Sequence, residues 1–283
     1  MIMKNIITIL IVCWVFSATL NAVFDDYEPS VRARGMGGAF YSLSDDATGI
    51  FYNPAGLIKS QEHLTISYTR IFGNDFQVLK TAAFTMPLPA RAGSIGLGLQ
   101  ALDVDYLDVN MMSEKVYSIA HSFTLMSDVH SSFHFGYSGN IYHLTIDRFG
   151  NETAFGLNLG ALVILHHRTK LGFAVDNINN PKIGENNKHE IPQRLAMGLT
   201  YNPYPGVSTS FELKKPFAQA TQIHTGAEVE VHKLLTLRVG LRNHPASFSC
   251  GATIKYQDIN IDYGLNTHSV LRNTHHFGIG YGF

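Results

Sequence analysis

Several features of ordinary soluble domains are scarce in this sequence. Charged residues make up 15% of the 283 residues, against the roughly 25% that is usual in soluble domains. The formal net charge of -1 leaves no basic excess of the kind that nucleic-acid binding requires. Low charge together with 25 Gly, 18 Phe and 13 Tyr favours a β-rich protein whose surface faces something other than water.

Signatures of cysteine chemistry and catalysis are also missing. The two cysteines, Cys13 and Cys250, have neither a CxxC nor a zinc-site spacing. Fourteen histidines are present, but no HExxH motif occurs and the paired histidines fall at predicted strand ends. His134 and Ser138 share a predicted face without the further partner that a triad needs. The sequence therefore predicts no enzyme, no catalytic or metal-binding residue and no cofactor.

The N-terminus has the pattern of a secretory signal peptide, predicted over residues 1–22. Lys4 supplies the positive charge, residues 6–20 are almost continuously apolar, and Ala22 offers a small residue for cleavage. A membrane anchor is the alternative, but about 15 apolar residues is short of the about 20 that a spanning helix needs. No later stretch reaches about 18 apolar residues.

From about residue 63 to the end, apolar and small or polar residues alternate. In the last segment Phe277, Ile279, Tyr281 and Phe283 alternate with three glycines. A period of two with one apolar face predicts a β-strand. About fourteen such segments follow one another, each near the about 9–11 residues that a transmembrane strand needs. This terminal aromatic ladder is also typical of the signal that the barrel assembly machinery reads.

The predicted connections differ between the two ends of the strands. One set is tight, as at 166–167 and 232–233, whereas the other set includes long stretches at 102–114, 143–152 and 177–191. Short turns on one side and longer loops on the other are the arrangement of bacterial outer-membrane barrels. We therefore expect an all-β fold, an antiparallel transmembrane barrel of about fourteen strands over residues 61–283, embedded in outer-membrane lipid.

The predicted inner faces carry Gly, Ser, Thr and Asn with a late cluster of charges. A β-sandwich would instead expose Lys and Glu to bulk water; an exposed charged face is the alternative interpretation. Opposite charges inside a small barrel favour a paired network. The predicted lumen charge network consists of Glu212, Glu228, Glu230, Arg238, Arg242, Lys255 and Asp262.

Residues 23–60 lack strand alternation and contain the motifs that carry a family resemblance. The runs Arg34-Gly35-Met36-Gly37-Gly38-Ala39, Asp45-Asp46-Ala47 and Asn53-Pro54-Ala55-Gly56-Leu57 resemble the N-terminal region of FadL-type outer-membrane transporters and, more closely, that of PorV- and PorQ-type proteins. The resemblance implies a fourteen-stranded barrel with residues 23–60 as a hatch inside it. It also implies a location in the outer membrane of a Gram-negative-type bacterium.

Two functions follow from the resemblance. PorV- and PorQ-type relatives imply an outer-membrane component of a type IX-like secretion system, with secretion proteins as partners. FadL-type relatives imply passive transport of hydrophobic small molecules, with a fatty-acid-like ligand. Residues 63–283 allow only about 16 residues for each strand and its connection, too few for long loops that would build an external ligand groove. We therefore take the secretion component as the main prediction and transport as the alternative, with no nucleic-acid partner.

The hatch prediction names its own anchoring residues. Asp45 and Asp46 bring two negative charges into the lumen, where Arg238, Arg242 and Lys255 are the nearest expected cations. Buried carboxylates require ion pairs or backbone N–H donors. We expect Asp45 and Asp46 to anchor the hatch, and Asn53, Pro54 and Ala55 to form the turn that leads into the first strand.

Overall fold

The computed structural model describes residue 24 and residues 27–89, 92–107, 109–148, 150–184, 188–217 and 219–283. The predicted signal peptide over residues 1–22 lies outside the described residues, as do positions 23, 25 and 26 of the predicted hatch. Within the described part of the chain, no helix is long and apolar enough to cross a membrane.

Fourteen antiparallel strands close into one barrel, which confirms the predicted fold. The strands are β1 (His63–Arg70), β2 (Gln77–Pro87), β3 (Ser94–Tyr106), β4 (Val109–Ser127), β5 (Ser131–Ile146), β6 (Gly150–Leu165), β7 (Thr169–Asp176), β10 (Arg194–Tyr201), β11 (Val207–Pro216), β12 (Gln222–His232), β13 (Leu235–Asn243), β14 (Ala246–Tyr256), β15 (Ile259–Asn266) and β16 (Thr274–Gly282). Two short strands, β8 (Lys182–Ile183) and β9 (His189–Glu190), pair only with each other. The barrel closes where β1 pairs with β16, with Ile66 opposite Ile279.

The outside of the barrel is covered with exposed apolar side chains. On the closing strand, Phe277, Ile279 and Tyr281 are 56%, 51% and 43% exposed, whereas Gly278, Gly280 and Gly282 face inward. The final residue, Phe283, continues this outer ladder and lies beside Tyr281, with ring centroids 4.9 Å apart. Water does not stabilise an apolar belt around a closed barrel, so the belt faces hydrocarbon.

Two of the long connections predicted from the sequence are wrong. β3 continues to Tyr106 and β4 begins at Val109, and β5 continues to Ile146 before β6 begins at Gly150. The outward-facing residues of β3 become polar after Ala101, but its backbone pairing with β4 continues to Tyr106. Lys80 Nζ, for example, lies 3.0 Å from Asp103. Only the connection between β7 and β10 stays long, and it contains β8 and β9.

These extensions give the barrel a raised wall on one side. The 19 residues of β4 span about 60 Å along the strand at about 3.4 Å per residue, which is a height of about 45 Å at a tilt of about 40°, whereas the apolar band of an outer-membrane barrel is about 25 Å tall. The raised wall lies opposite the short turns at 166–167 and 233–234. In outer-membrane barrels the short turns are periplasmic, so the raised wall is on the external side.

The N-terminal segment, residues 27–60 with residue 24, contains short helices and lies against the inner faces of the strands. Helix α1 spans Val31–Gly35, and two 3-10 helices span Ala47–Phe51 and Pro54–Lys59. Its hydrogen bonds reach strands far apart around the barrel: Asn53 bonds Ala161 on β6, and Phe40 bonds Glu212 on β11. The segment has no long strand or helix of its own, so contacts with the barrel position it.

Candidate functional site

The backbone of the N-terminal segment lies directly against the backbone of the barrel strands at several glycines. A Cβ atom added to Gly240 on β13 would overlap the carbonyl carbon of Met36 and the backbone nitrogen of Gly37. Gly37 itself has a φ of 68°, a conformation that glycine adopts at little cost. Glycines at lumen-facing positions therefore serve as the surface on which the segment rests.

The acidic pair of the segment is held by a cation that the sequence analysis did not name. Arg32 on α1 lies with Nη1 2.7 Å from Asp45 and 3.1 Å from Asp46, and with Nη2 2.8 Å from Glu228 on β12. Lys170 Nζ on β7 lies 2.9 Å from the second oxygen of Asp45. Asp45 thus links the segment to the barrel directly, and Arg32 links both aspartates to Glu228.

The partners expected for these aspartates were Arg238, Arg242 and Lys255, and this part of the prediction is wrong. Arg32 belongs to the same segment and contacts both aspartates, and the barrel cation that reaches Asp45 is Lys170 on β7. Asp46 also caps the helix that follows it in the chain. Its carboxylate accepts the Thr48 backbone N–H at 2.9 Å and begins the 3-10 helix Ala47–Phe51.

The charges around Asp45 change its proton affinity. Burial by itself would raise the pKa of the Asp45 carboxyl, but the nearby Arg32 guanidinium and Lys170 ammonium lower that pKa below its usual value of 3.8. A lowered pKa means that the ionised form is the one that the folded protein favours. The aspartate therefore contributes to docking of the segment as an anion.

Three members of the predicted lumen network form one cluster with Arg32. Arg238 Nε lies 2.5 Å from Glu228 and its Nη1 lies 3.6 Å from Asp262. Thr253 donates to Asp262 and accepts from Arg238, which adds a hydroxyl to the cluster. Glu228 lies between Arg32 and Arg238 and connects the N-terminal segment with β12 and β13.

The other predicted members lie outside that cluster. Lys255 and Glu230 form a loose pair at 3.8 Å, and Arg242 lies 3.9 Å from Glu28 of the segment. Glu212 binds the backbone of the segment: its carboxylate accepts hydrogen bonds from the N–H groups of Phe40 and Ser42 at 2.9 and 2.8 Å. The single network expected from the sequence is therefore four separate groups of contacts.

The Asn53-Pro54-Ala55 motif begins a helix rather than leading straight into the first strand. Asn53 Oδ1 accepts the Ala55 N–H at 3.1 Å, and Pro54 opens the 3-10 helix Pro54–Lys59. The Nδ2 group of Asn53 donates to the carbonyls of Tyr41 and Ala161, at 2.9 and 3.1 Å. One amide therefore joins two parts of the segment to β6.

The sequence reasoning missed Arg32, Lys170 and Glu28. Arg32 stands beside the recognised Arg34-Gly35-Met36 run, and its spacing from the acidic pair within one short segment was an available signal. Lys170 lies on the same inner face of β7 as Gly172 and Ala174, two and four residues further on, so the alternation could have predicted it as a lumen cation.

Apolar residues close the external mouth of the barrel. Tyr142, Leu144 and Ile191 are 7%, 7% and 1% exposed. They belong to a cluster, here called the mouth cluster, in which the inner faces of β4, β5 and β6 meet the β7–β10 connection. The mouth cluster consists of Phe24, Met112, Val116, Tyr142, Leu144, Ile146, Ala154, Ile183 and Ile191.

Two cavities lie on either side of the N-terminal segment. The outer cavity, about 60 Å³, lies beneath the mouth cluster and is lined both by aromatic residues such as Tyr52 and Tyr142 and by polar residues such as Glu114, Asp176 and Arg194. The inner cavity, about 440 Å³, faces the short turns and is lined by the Arg32 and Glu228 cluster. The mouth cluster is thus apolar, whereas charged residues line the cavities on both sides of the segment.

His134 and Ser138, considered above as catalytic residues, do not form a pair. Both ring nitrogens of His134 lie 2.9 Å from hydroxyls, of Thr124 and Ser132 respectively. Among the described residues, the Ser138 hydroxyl has no hydrogen-bond partner. His134 therefore orders hydroxyl groups near the periplasmic end of β4 and β5.

Comparison with solved structures identifies the type of barrel. A FadL homologue of Pseudomonas aeruginosa matches with a TM-score of 0.59 and 12% identity, over 90% of this chain and 98% of the other. The toluene transporter TodX of Pseudomonas putida gives 0.60 and 13%, over 88% and 96%. The deltaS2 mutant of TodX, a monoaromatic hydrocarbon channel, gives 0.61 and 11%, over 91% and 100%.

These likenesses establish a FadL-type fold. No protein-family model matches the chain, and no curated protein matches it in sequence. The closed fourteen-stranded wall, the apolar exterior and the shared fold place the protein in the outer membrane of a Gram-negative-type bacterium, as predicted. The finer resemblance to PorV- and PorQ-type proteins stays a prediction.

Proposed function

We propose that this protein is an outer-membrane channel for hydrophobic small molecules, with residues 23–60 as a plug inside the barrel. The mouth cluster is the observation that carries the proposal. A channel for hydrated solutes has a polar lumen, whereas buried side chains such as Leu144 and Ile191 make this entrance apolar. The similar FadL and TodX barrels support this choice over secretion.

The aromatic residues of the outer cavity support the same proposal. Phe24 and Tyr142 belong to the mouth cluster and also line the cavity, so aromatic side chains continue from the entrance to Tyr41 and Tyr52 of the plug, beside charged residues of the same lining. Apolar solutes bind favourably to such surfaces because they leave water. The cavity of about 60 Å³ is smaller than the about 150 Å³ site that holds benzene in an engineered protein core. Passage of a solute therefore requires the plug or the mouth cluster to move.

Uptake by whole cells tests this function. The protein is expressed in a Gram-negative host that lacks its own channel for hydrophobic solutes, and uptake of radiolabelled toluene and octanoate is measured. We expect faster uptake than in the host alone. Leu144→Asp should reduce the gain because it places a carboxylate in the buried mouth cluster.

Leu107→Asp is the matched control, since Leu107 is 79% exposed at the tip of the β3–β4 hairpin. This variant should transport like the unmodified protein. Uptake no faster than in the host alone, with the barrel folded in the outer membrane, would contradict the transport function.

A secretion component remains the second candidate. The observation that favours it is the dense attachment of the plug, which involves Arg32, Glu212 and Asn53 at once. A barrel whose lumen is held closed serves as a scaffold for secretion proteins. In the native organism, deletion of this gene would then remove proteins from the cell surface without changing uptake of hydrophobic solutes.

A further inference from the structure

A third cavity, of about 310 Å³, lies at the periplasmic end of the barrel between the inner faces of β4, β5 and β6 and the last turn of the N-terminal segment. Lys59, His130 and His167 line it together with four hydroxyl groups. The hydroxyls belong to Thr124, Ser127, Ser131 and Ser132. Lysine, imidazole and hydroxyl groups all donate hydrogen bonds.

Lys59 differs from the other cations of the lumen. Arg32, Lys170 and Arg238 each lie within 3 Å of a carboxylate. Among the described residues, no carboxylate lies within ion-pair distance of the Lys59 ammonium. Burial and the nearby Lys170 ammonium lower the pKa of Lys59, so a second positive charge acts on the same place. Lys170 is paired with Asp45, whereas the exposed Lys59 ammonium can pair with an added anion.

The position of Lys59 is fixed by the motif that begins its helix. Asn53 caps the 3-10 helix Pro54–Lys59, and the same Asn53 is bonded to β6 through the Ala161 carbonyl. Lys59 is the last residue of that helix, so its ammonium is delivered to the wall of the cavity by a segment anchored at the other end. The helix thus fixes the backbone position of Lys59, whose exposed side chain lines the cavity.

The opposite wall is ordered as well. His134 is 4% exposed, and its two ring nitrogens engage the hydroxyls of Thr124 and Ser132. His130 and His167 come from two adjacent turns, which are joined by the His166 N–H donating to the His130 carbonyl at 2.7 Å. Asp128 is the only carboxylate among the residues that line this cavity, and it makes no ion pair with Lys59.

We propose that this cavity is a binding site for a small oxyanion, a carboxylate or a phosphate, free or as the headgroup of an amphiphile, with Lys59 as the charged ligand. Hydroxyl and imidazole donors around one ammonium are the groups that surround bound oxyanions in proteins. Ile58 and Ile164 on the same wall would contact the first carbons of an attached chain. The proposal does not depend on transport through the barrel.

Isothermal titration calorimetry tests this site. Protein purified from outer membranes in a nonionic detergent is titrated with inorganic phosphate, acetate and octanoate. Lys59→Gln should weaken binding about tenfold or more, as expected for loss of a charged hydrogen bond. Lys59→Arg should retain binding. His167→Asn should weaken binding by a smaller factor; Asn tolerates the left-handed backbone of this position, where φ is 58°.

Lys255→Gln is the matched control because Lys255 lines the inner cavity and faces Glu230. The site is supported if one of the three probes binds, if Lys59→Gln weakens that binding, and if Lys255→Gln leaves it unchanged. Octanoate binding more tightly than acetate would assign the site to amphiphile headgroups, and equal binding would assign it to free anions. Absence of binding for all three probes, or equal binding by Lys59→Gln with a folded, heat-modifiable barrel, would overturn the proposal.

Discussion

Replacing Arg32 by Met is the most direct test of how the N-terminal segment is held. Its guanidinium contacts Asp45, Asp46 and Glu228 at 2.7, 3.1 and 2.8 Å. Methionine keeps most of the side-chain volume and removes the charge. The carboxylates of Asp45, Asp46 and Glu228 would then lose a common cation while staying partly buried. The docked state of the segment should therefore lose stability relative to an undocked state.

The size of the effect follows from the remaining contacts. Removing one partner of a buried ion pair costs about 3–5 kcal/mol. Asp45 keeps Lys170 and Glu228 keeps Arg238, and the Arg32 side chain is 19% exposed, so solvent screens part of the interaction. We therefore expect about 2–3 kcal/mol. At about 1.36 kcal/mol per factor of ten, undocking should become roughly 30 to 150 times more frequent.

Hydrogen–deuterium exchange with mass spectrometry measures this change. Peptides from residues 27–60 report on docking, and the amides of Phe40 and Ser42 are useful because both donate to Glu212. Their protection should fall by the same factor in Arg32→Met, whereas the barrel strands should stay protected.

Arg70→Met is the matched control. Arg70 lies 2.8 Å from Asp75, but both side chains are more than half exposed, so solvent screens this pair and the change should leave residues 27–60 unaffected. Unchanged protection of that segment in Arg32→Met would refute the idea that this charge cluster holds it.

Four further outcomes are expected. Gly240→Ala should increase exchange of residues 27–60 because its methyl group would overlap Met36 and Gly37; Gly139→Ala, whose methyl group meets only side chains, should not. The double change Asp45→Ala with Asp46→Ala should give larger or noisier conductance in planar bilayers; equal conductance and equal protease resistance would show that the aspartates do not hold the plug. The pKa of Asp45 is lowered in the folded protein, so its stabilisation of docking is complete above the usual value of 3.8 and is lost as the pH falls through the lowered value. Hydrogen exchange of residues 27–60 should therefore rise in acid, and Asp45→Asn should reduce that rise. Deleting Phe283 should lower the amount of heat-modifiable barrel without changing the activity of barrels that do assemble; normal amounts would contradict its role as an assembly signal.

The number and order of the barrel strands could be predicted from the sequence. Alternation from Ile259 to Leu265, or from Phe277 to Phe283, assigns every residue to an inner or outer face because side chains of a strand point to opposite sides. Inward parity therefore also identified Glu228, Arg238 and Asp262 as lumen residues. These assignments need only local periodicity, and local periodicity is present in the sequence itself.

The partners of those residues were decided only by the tertiary structure. Arg32 reaches Glu228 across 196 positions, and Lys170 reaches Asp45, because the path of the N-terminal segment through the lumen brings them together. The extended hairpins around Tyr106 and Ile146 were also missed, since the hydrophobic signal ends at the membrane edge while backbone pairing does not. Periodicity determines which face a side chain occupies, but contacts across the lumen depend on strand stagger and on the segment between the walls, and neither is a local property of the chain.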